Sequence, residues 1–248
     1  MRIAICIPDN YPTFQKPFVF SLMSVLASFQ AWANKGKDKY EVNTIFNDHG
    51  RVDDMRNGLA EGAIRDGYDA VMWMDSDMVF PPMTLIRLVS HLNKNPKLEA
   101  ASGLYTYKTP PYLPHVYPKL DNGKFRIGAS YPIEQPFYVD GAGFGCLLMR
   151  TSVFNRLKRP YFTFRFKQGK IIKGEDLGFC RDAKMKMLLD PQIRCGHLRL
   201  TPFGIEDYIA FNHAEIQDGK ITLSKERMHA IMDIMPQLKK GSKKLTHN

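Results

Sequence analysis

The chain has 248 residues, is 44% hydrophobic and carries a formal charge of +10, which suits one globular α/β domain with a sizeable core and argues against disorder or a fibrous protein. The opening MRIAICIPDN does not have the form of a secretion signal, and the longest apolar stretch, Pro17 to Ala33, is interrupted by Ser21, Ser24, Ser28 and Gln30, short of the ~20 apolar residues of a membrane span. Excess Lys and Arg attracts phosphate-bearing partners, and four widely spaced cysteines without a CxxC pair read as reduced thiols of a cytoplasmic protein.

In chain order, Arg2 to Ile7 reads as a buried strand and is followed by a Pro-containing loop, PDNYPTF. Lys16 to Asn34 reads as a buried helix with a long apolar face, and Tyr40 to Asn47 as a second strand ending in Asp48-His49-Gly50. Asp53 or Asp54 is placed to cap a helix running to Asp66. Ala70 to Met74 is a third apolar strand that stops at Asp75-Ser76-Asp77. Pro81-Pro82 opens a helix to about Asn93, and Leu98 to Tyr105 is a fourth strand. This alternation predicts a mixed, mainly parallel sheet with helices on both faces. Ligands of such sheets gather beyond the carboxyl ends of the strands. Asp9, Asp48, Asp75 and Asp77 all fall there, so that one crevice has room for all four.

The second half differs. Thr106 to Pro136 is rich in Tyr, Pro and Gly and reads as loops with a hairpin at Asp121-Asn122-Gly123. Phe137 to Arg150 reads as strand, glycine-rich turn and strand, Thr151 to Lys158 as a short helix, and Arg159 to Lys173 as an irregular basic and aromatic segment. Glu175 to Lys186 is a helix, and Gln192 to His197 a last sheet strand. A hairpin at Asp218-Gly219, a helix from Ser224 and a basic tail, KKGSKKLTHN, complete the chain. The expected division is 1–202 as one catalytic domain, with a nucleotide-binding half over 1–105 and an acceptor half over 106–202. Residues 203–248 are then an extension.

Two carboxylates two apart at the end of a buried strand are costly unless their charge is compensated. A divalent ion carrying a diphosphate would do so, and oxygen ligands suit Mg²⁺ or Mn²⁺. The plainer reading of Asp75 and Asp77 is a strand-to-loop boundary with exposed acids. Glu175 and Asp176 open a helix, where acids are expected from the helix dipole alone. A carboxylate there is also placed to act as general base. His197 in Cys-Gly-His-Leu is more simply a structural histidine, or else it returns to the same sheet edge as a ligand. Seven basic residues interleave with Tyr161, Phe162, Phe164 and Phe166 between Arg156 and Lys173. This is either a solvated basic face over core aromatics or a groove for nucleic acid.

Taken in order, the Pro8 loop, Asp48, Arg56-Asn57, Asp75-Ser76-Asp77, the DGAGFGCLLMR segment, Gly174-Glu175-Asp176 and His197 resemble the GT-A fold glycosyltransferases, family 2-like, of the small phage and bacterial type. The resemblance covers residues 1–200. It implies that Pro8 and Asp9 line a base pocket, that Asp48 reads the nucleobase, and that Arg56 and Asn57, with Ser76, lie at the nucleotide. Asp75, Asp77 and His197 would serve a Mn²⁺ or Mg²⁺ ion, with Asp75 contacting ribose or metal. Asp140, Gly141 and Gly143 would face the sugar, the glycines permitting its close approach. Asp176, with Glu175 beside it, would be the base if the enzyme inverts; a retaining enzyme needs a different arrangement on the sugar's other face, and the sequence does not decide between them. The expected function is transfer of a sugar from a nucleotide-sugar donor, UDP-linked by preference, to a hydroxyl. Arg159, Arg165 and Lys167 would contact a DNA acceptor carrying a hydroxymethylated pyrimidine, which places a phage enzyme in the host cytoplasm. A polysaccharide or lipid-linked acceptor is the competing enzyme reading. A nucleotidyltransferase would carry a glycine-rich basic loop after the first strand, which PDNYPTF lacks. A non-catalytic nucleic-acid-binding protein would not need Asp75, Asp77 and His197 together.

Overall fold

A computed structural model describes residues 1–9, 13–167, 170–198 and 202–232. The central sheet has seven strands: β1 (Arg2–Pro8), β2 (Glu41–Asn47), β3 (Ala70–Met74), β4 (Ala100–Leu104), β5 (Phe137–Val139), β6 (Cys146–Arg150) and β7 (Met187–Arg194). Their order is β2-β1-β3-β6-β4-β7-β5. β1 pairs parallel with β2 and β3, and β4 parallel with β7, while β6 runs antiparallel between β3 and β4 and β5 antiparallel to β7 at the edge. This is a mixed, partly parallel α/β sheet, with three parallel and three antiparallel pairings. Every residue of β3 is buried, as a strand covered on both faces requires.

Helix α1 (Lys16–Ala33) and α3 (Thr84–Lys94) cover one face; α2 (Val52–Arg65) and α4 (Glu175–Ala183) cover the other with the 3₁₀ turn Thr151–Arg156. The buried side chains of α1, Phe18, Leu22, Val25 and Phe29, recur every three or four residues. The helix is not wholly buried as expected: Phe20 and Met23 lie on its outer side, 67% and 60% exposed. α2 begins after Arg51, which makes no side-chain cap; Asp53 and Asp54 stand inside its first turn. α3 starts at Thr84, just after the Pro81-Pro82 pair. It is tied to β7 by Arg87 and His91, which donate to the fully buried Asp190 at 2.8–3.1 Å.

Three differences from the sequence reading lie in the second half. The last sheet strand starts at Met187, and it ends at Arg194 rather than reaching His197. Gly196–Leu198 instead joins a separate small sheet. The basic segment is not irregular at its end, since Arg165–Lys167 and Lys170–Lys173 pair antiparallel. A helix, α5 (Ile205–Asn212), precedes the Glu215–Gln217/Lys220–Thr222 hairpin. A further helix over 225–232 follows. Ile205, Tyr208, Ile221 and Ile231 share a third core with Leu104, Leu113, Val116 and Tyr131, so residues after 203 pack onto the segment between β4 and β5. The basic tail lies outside the described residues. All four cysteines are free and buried, and no described helix is long and apolar enough to cross a membrane.

Candidate active site

β3 delivers the acidic motif to the carboxyl edge of the sheet, and its three side chains diverge. Ser76 turns inward, its hydroxyl donating to Asp9 at 2.7 Å, both residues buried. Asp9 and Pro8 are therefore fixed to the motif through the end of β1. Asp75 accepts from Arg56 at 2.9 Å. Asp77 faces Lys108 and the imidazole Nε2 of His197, the latter 3.5 Å from its Oδ1.

His197 reaches Asp77 through the backbone. Gly196–Leu198 pairs antiparallel with Met78–Val79, with His197 opposite Met78. The Leu198 N–H also donates to the Asp77 carbonyl at 2.6 Å. The His197 Nδ1–H donates to the Thr106 carbonyl at 2.7 Å, which aims Nε2 at Asp77; fixing the far nitrogen is how proteins orient a metal-ligating imidazole. Two ligand bonds of about 2.1 Å span a separation of up to ~4 Å, so this pair fits one ion. Among the described residues, no group of three His, Cys, Asp or Glu side chains gathers to hold a metal. Asp75 lies outside this pair, its Oδ1 accepting from Arg56. The residues fit an ion held by one carboxylate and one imidazole, with its other positions open to water or phosphate oxygens, as Mg²⁺ and Mn²⁺ sites commonly leave them.

Beside this pair lies a charge cluster built around a buried arginine. The Arg56 side chain is 4% exposed, with Asp75 at 2.9 Å and Glu175 at 3.6 Å, and its guanidinium lies over the rings of Trp73 and Phe144. It does not lie open to a nucleotide; it binds the acids of β3 to those of α4. Burial pushes the Asp75, Glu175 and Asp176 carboxyls up, Arg56 pulls each down, and the net direction is upward. Burial works against the charge of Arg56 too, but the three acids hold its pKa raised. Asp77 differs: burial raises it, yet His197 and Lys108 outweigh that and bring it to about 2. Asp176, in the first turn of α4, accepts the Leu177 N–H at 2.6 Å.

Several expected donor residues stand elsewhere. The Asn57 amide is spent on the Phe162 backbone, donating to its carbonyl at 2.8 Å and accepting its N–H at 3.0 Å. Asp48 is exposed at the end of β2 and pairs with His49. Asp140 is exposed and accepts the Lys119 N–H at 2.8 Å, with no contact to the acidic cluster among the described residues. Gly143 makes room for the protein itself: a Cβ there would sit 2.0 Å from the Tyr105 hydroxyl. That hydroxyl accepts the Gly145 N–H at 3.0 Å. A Cβ at Gly141 would meet Phe125 and Leu177 at 3.1 and 3.2 Å.

The segment after β4 supplies what the sequence did not announce. The His115 ring stacks between Tyr105 and Tyr107, at 4.4 and 4.1 Å between centroids. Tyr117 lies 3.1 Å from its Nδ1, and its buried Nε2 has no hydrogen-bond partner among the described residues. Burial, then the charge of His197, bring His115 down to about 3, so the ring is neutral near pH 7. Tyr107, Tyr117, Phe125, Leu177, Met228 and Met232 line part of a largely apolar cleft of about 550 Å³ beginning one residue after Asp176.

The basic segment forms a separate cleft of about 420 Å³ lined by Arg156, Lys158, Arg159 and Arg165, with Asp182 on its wall. Two of its aromatic rings are packed against other rings. Phe162 is buried against Phe179 at 4.7 Å, and Tyr161 packs on Phe154 at 4.8 Å. Arg156 pairs with Glu99, and Arg159 with Glu61. The Lys167 and Phe166 side chains lie outside the described residues.

No protein-family model matches the chain, and no curated protein does. Solved structures do. A197 from STIV superposes with a TM-score of 0.56 at 19% identity, over 80% of this chain and 86% of that one. GalNAc-T7, solved with UDP, GalNAc and Mn²⁺, gives a TM-score of 0.50 at 12% identity, over 87% of this chain. The match spans about half of GalNAc-T7, 48% of its length. At these identities the likeness establishes the fold.

Proposed function

We propose that the chain is a metal-dependent glycosyltransferase that moves a sugar from a nucleotide-sugar, UDP-linked by preference, to a hydroxyl acceptor. The observation that carries this reading is the Asp77–His197 pair, 3.5 Å apart beside the Arg56–Asp75–Asp176 cluster at the carboxyl edge of a GT-A-like sheet. The UDP and Mn²⁺ in GalNAc-T7 add support for the donor class. Bound at Asp77 and His197, Mn²⁺ or Mg²⁺ would supply Lewis-acid stabilisation of the departing diphosphate. Pro8 and Asp9 form the floor under the nucleoside. Arg56 keeps Asp75 in place and balances the acids without touching the donor.

Asp176 is the proposed base. Burial raises its carboxyl against the pull of Arg56, so it takes a proton more readily than a solvated aspartate does. The acceptor hydroxyl approaches along the cleft of Tyr107, Tyr117 and Leu177, loses its proton to Asp176 and attacks the sugar carbon from the side opposite the diphosphate. A panel of nucleotide sugars, with and without Mn²⁺, tests the donor reading through thermal stabilisation. Stabilisation by a UDP-sugar that needs Mn²⁺ and vanishes with chelator supports it; indifference to every nucleotide contradicts it.

A nucleic-acid acceptor, DNA with a hydroxymethylated pyrimidine, is the second reading. What favours it is the net charge of +10 and the cleft of Arg156, Lys158, Arg159 and Arg165; what weighs against it is that two of the aromatic rings there are packed against other rings. Transfer to hydroxymethylated DNA, and not to glycans or lipid-linked sugars, would select it.

A further inference from the structure

Lys108 is the one ammonium seen on the proposed metal pair among the described residues. Its Nζ contacts Asp77 Oδ2, while Asp77 Oδ1 faces His197. The side chain is 27% exposed and Asp77 17%, so the contact sits at the mouth of the crevice rather than on open surface. Lys108 stands two residues after Thr106, whose carbonyl orients His197. The excursion that carries it is closed at its base by the Thr106–Pro114 bridge and by the Tyr107 N–H donating to Leu113. The same backbone therefore positions a metal ligand and an ammonium at one carboxylate.

Charge arithmetic says what this lysine does. Four carboxylates, Asp75, Asp77, Glu175 and Asp176, face two fixed cations, Arg56 and Lys108. Arg56 is buried and hydrogen-bonded to Asp75 through Nη2. Lys108 is partly exposed and bound to the carboxylate that an ion would take. An ammonium and a divalent cation repel when they share one carboxylate. An ammonium beside an ion-bound diphosphate is instead strongly attracted, and lysine serves as a mobile point charge for phosphate.

Resting on the metal-site reading above, we propose that Lys108 is a donor-binding residue that holds the place of the ion. It neutralises Asp77 in the empty site, leaves when a divalent ion enters, and then binds the diphosphate of the nucleotide. The two halves of this role have opposite signs. With the ion alone, Lys108 competes; with ion and nucleotide together, it helps.

Isothermal titration of Mn²⁺ alone, and of UDP at saturating Mn²⁺, on the full chain and on Lys108→Met separates them. Lys108→Met is expected to bind Mn²⁺ about tenfold more tightly and UDP about tenfold more weakly, as loss of one competing and one charge-assisted contact implies. Lys108→Arg, which keeps the charge, is expected to hold UDP within about threefold of the unaltered chain. Weakening of both ligands together would reduce Lys108 to a structural contact, and no change in either would reduce it to a surface ion pair; each overturns the inference. Absence of Mn²⁺ binding to the unaltered chain would instead overturn the metal reading, and this inference with it. Binding of Mn²⁺ and UDP with equal response in Lys108→Met would leave that reading intact while removing Lys108 from it.

Discussion

Asp75 and Asp77 are two residues apart on one strand end, yet their charges are compensated in opposite ways. Asp75 is answered from within, by an arginine that is itself buried between aromatic faces. Asp77 is answered from the crevice, by a histidine and a partly exposed lysine. The carboxyl directions follow: Asp75 is raised by burial despite Arg56, while Asp77 is brought to about 2. A motif of two acids thus splits into a half tied to a buried arginine and a half paired with a histidine and a lysine, although both side chains keep some solvent contact, 27% for Asp75 and 17% for Asp77. The same spacing in sequence does not imply the same job.

The comparison breaks first, and most severely, at the base. Asp176→Asn should lower kcat by a factor of about 10² to 10⁴ and leave UDP affinity nearly unchanged. An equal loss of UDP affinity would move Asp176 into the nucleotide site. Because the Asp176 carboxyl is raised and a base must be ionised, kcat should fall as pH falls through a value above the ordinary aspartate range. This acid limb should be absent in Asp176→Asn.

The arginine-bound half is tested by Arg56→Met. Removing the buried cation strands Asp75, Glu175 and Asp176, and unpaired buried charge of this kind costs about 3–5 kcal/mol. The sign of the pH dependence is fixed by the raised carboxyls. Their ionisation opposes folding above the unfolded-state pKa, so the deficit should be largest near neutral pH and shrink as the acids are protonated. Denaturant unfolding at pH 7 and pH 4 checks this; a deficit that grows on acidification would contradict it. Asp77 is not a like case. Its depressed pKa means that its contribution to stability is present above the ordinary value of 3.8 and is lost as pH falls towards about 2. Asp77→Ala in the absence of metal should therefore destabilise modestly, and removal of repulsion is not its main effect.

A smaller effect is expected at Gly143. Alanine there places a methyl carbon 2.0 Å from the Tyr105 hydroxyl, and displacement of a packed ring costs about 1–3 kcal/mol. Since Tyr105 also stacks on His115, kcat should fall along with the unfolding midpoint. An unchanged midpoint would mean that the ring is free to move. Smallest is the change in Arg159 and Arg165. Both replaced by alanine should reduce the salt slope of DNA binding by about 1–2, and an unchanged slope would remove this cleft from the DNA reading.

What the sequence disclosed depends on how local each cause is. Ala70 to Met74 was legible to the residue because a strand buried on both faces is continuously apolar and is ended by its acids. The Asp218-Gly219 hairpin was legible from turn chemistry and α2 from its span, though the acids expected to cap it stand inside its first turn. His197 was legible as a candidate, but its route was not: a three-residue ladder against Met78–Val79 leaves no period in the sequence. Gly143 was read as space for a sugar, whereas Tyr105, thirty-eight residues earlier, fills it. Asn57 and Arg56 adjoin in sequence, but one clamps the Phe162 backbone and the other the acids. Lys108, Tyr107 and His115 sit in a Pro- and Tyr-rich stretch that carries no motif, and only the stacking of their rings and the Thr106–Pro114 closure bring them to the site.

The account turns on the histidine-bound half of the motif being a metal site that the nucleotide completes. Titration of Mn²⁺ followed by UDP, on the full chain and on Asp77→Ala and His197→Ala, measures this directly. One Mn²⁺ per chain, UDP affinity that falls at least a hundredfold without it, and loss of both in either variant are the predicted results. UDP binding indifferent to Mn²⁺, or Mn²⁺ binding that survives in both variants, would contradict the account.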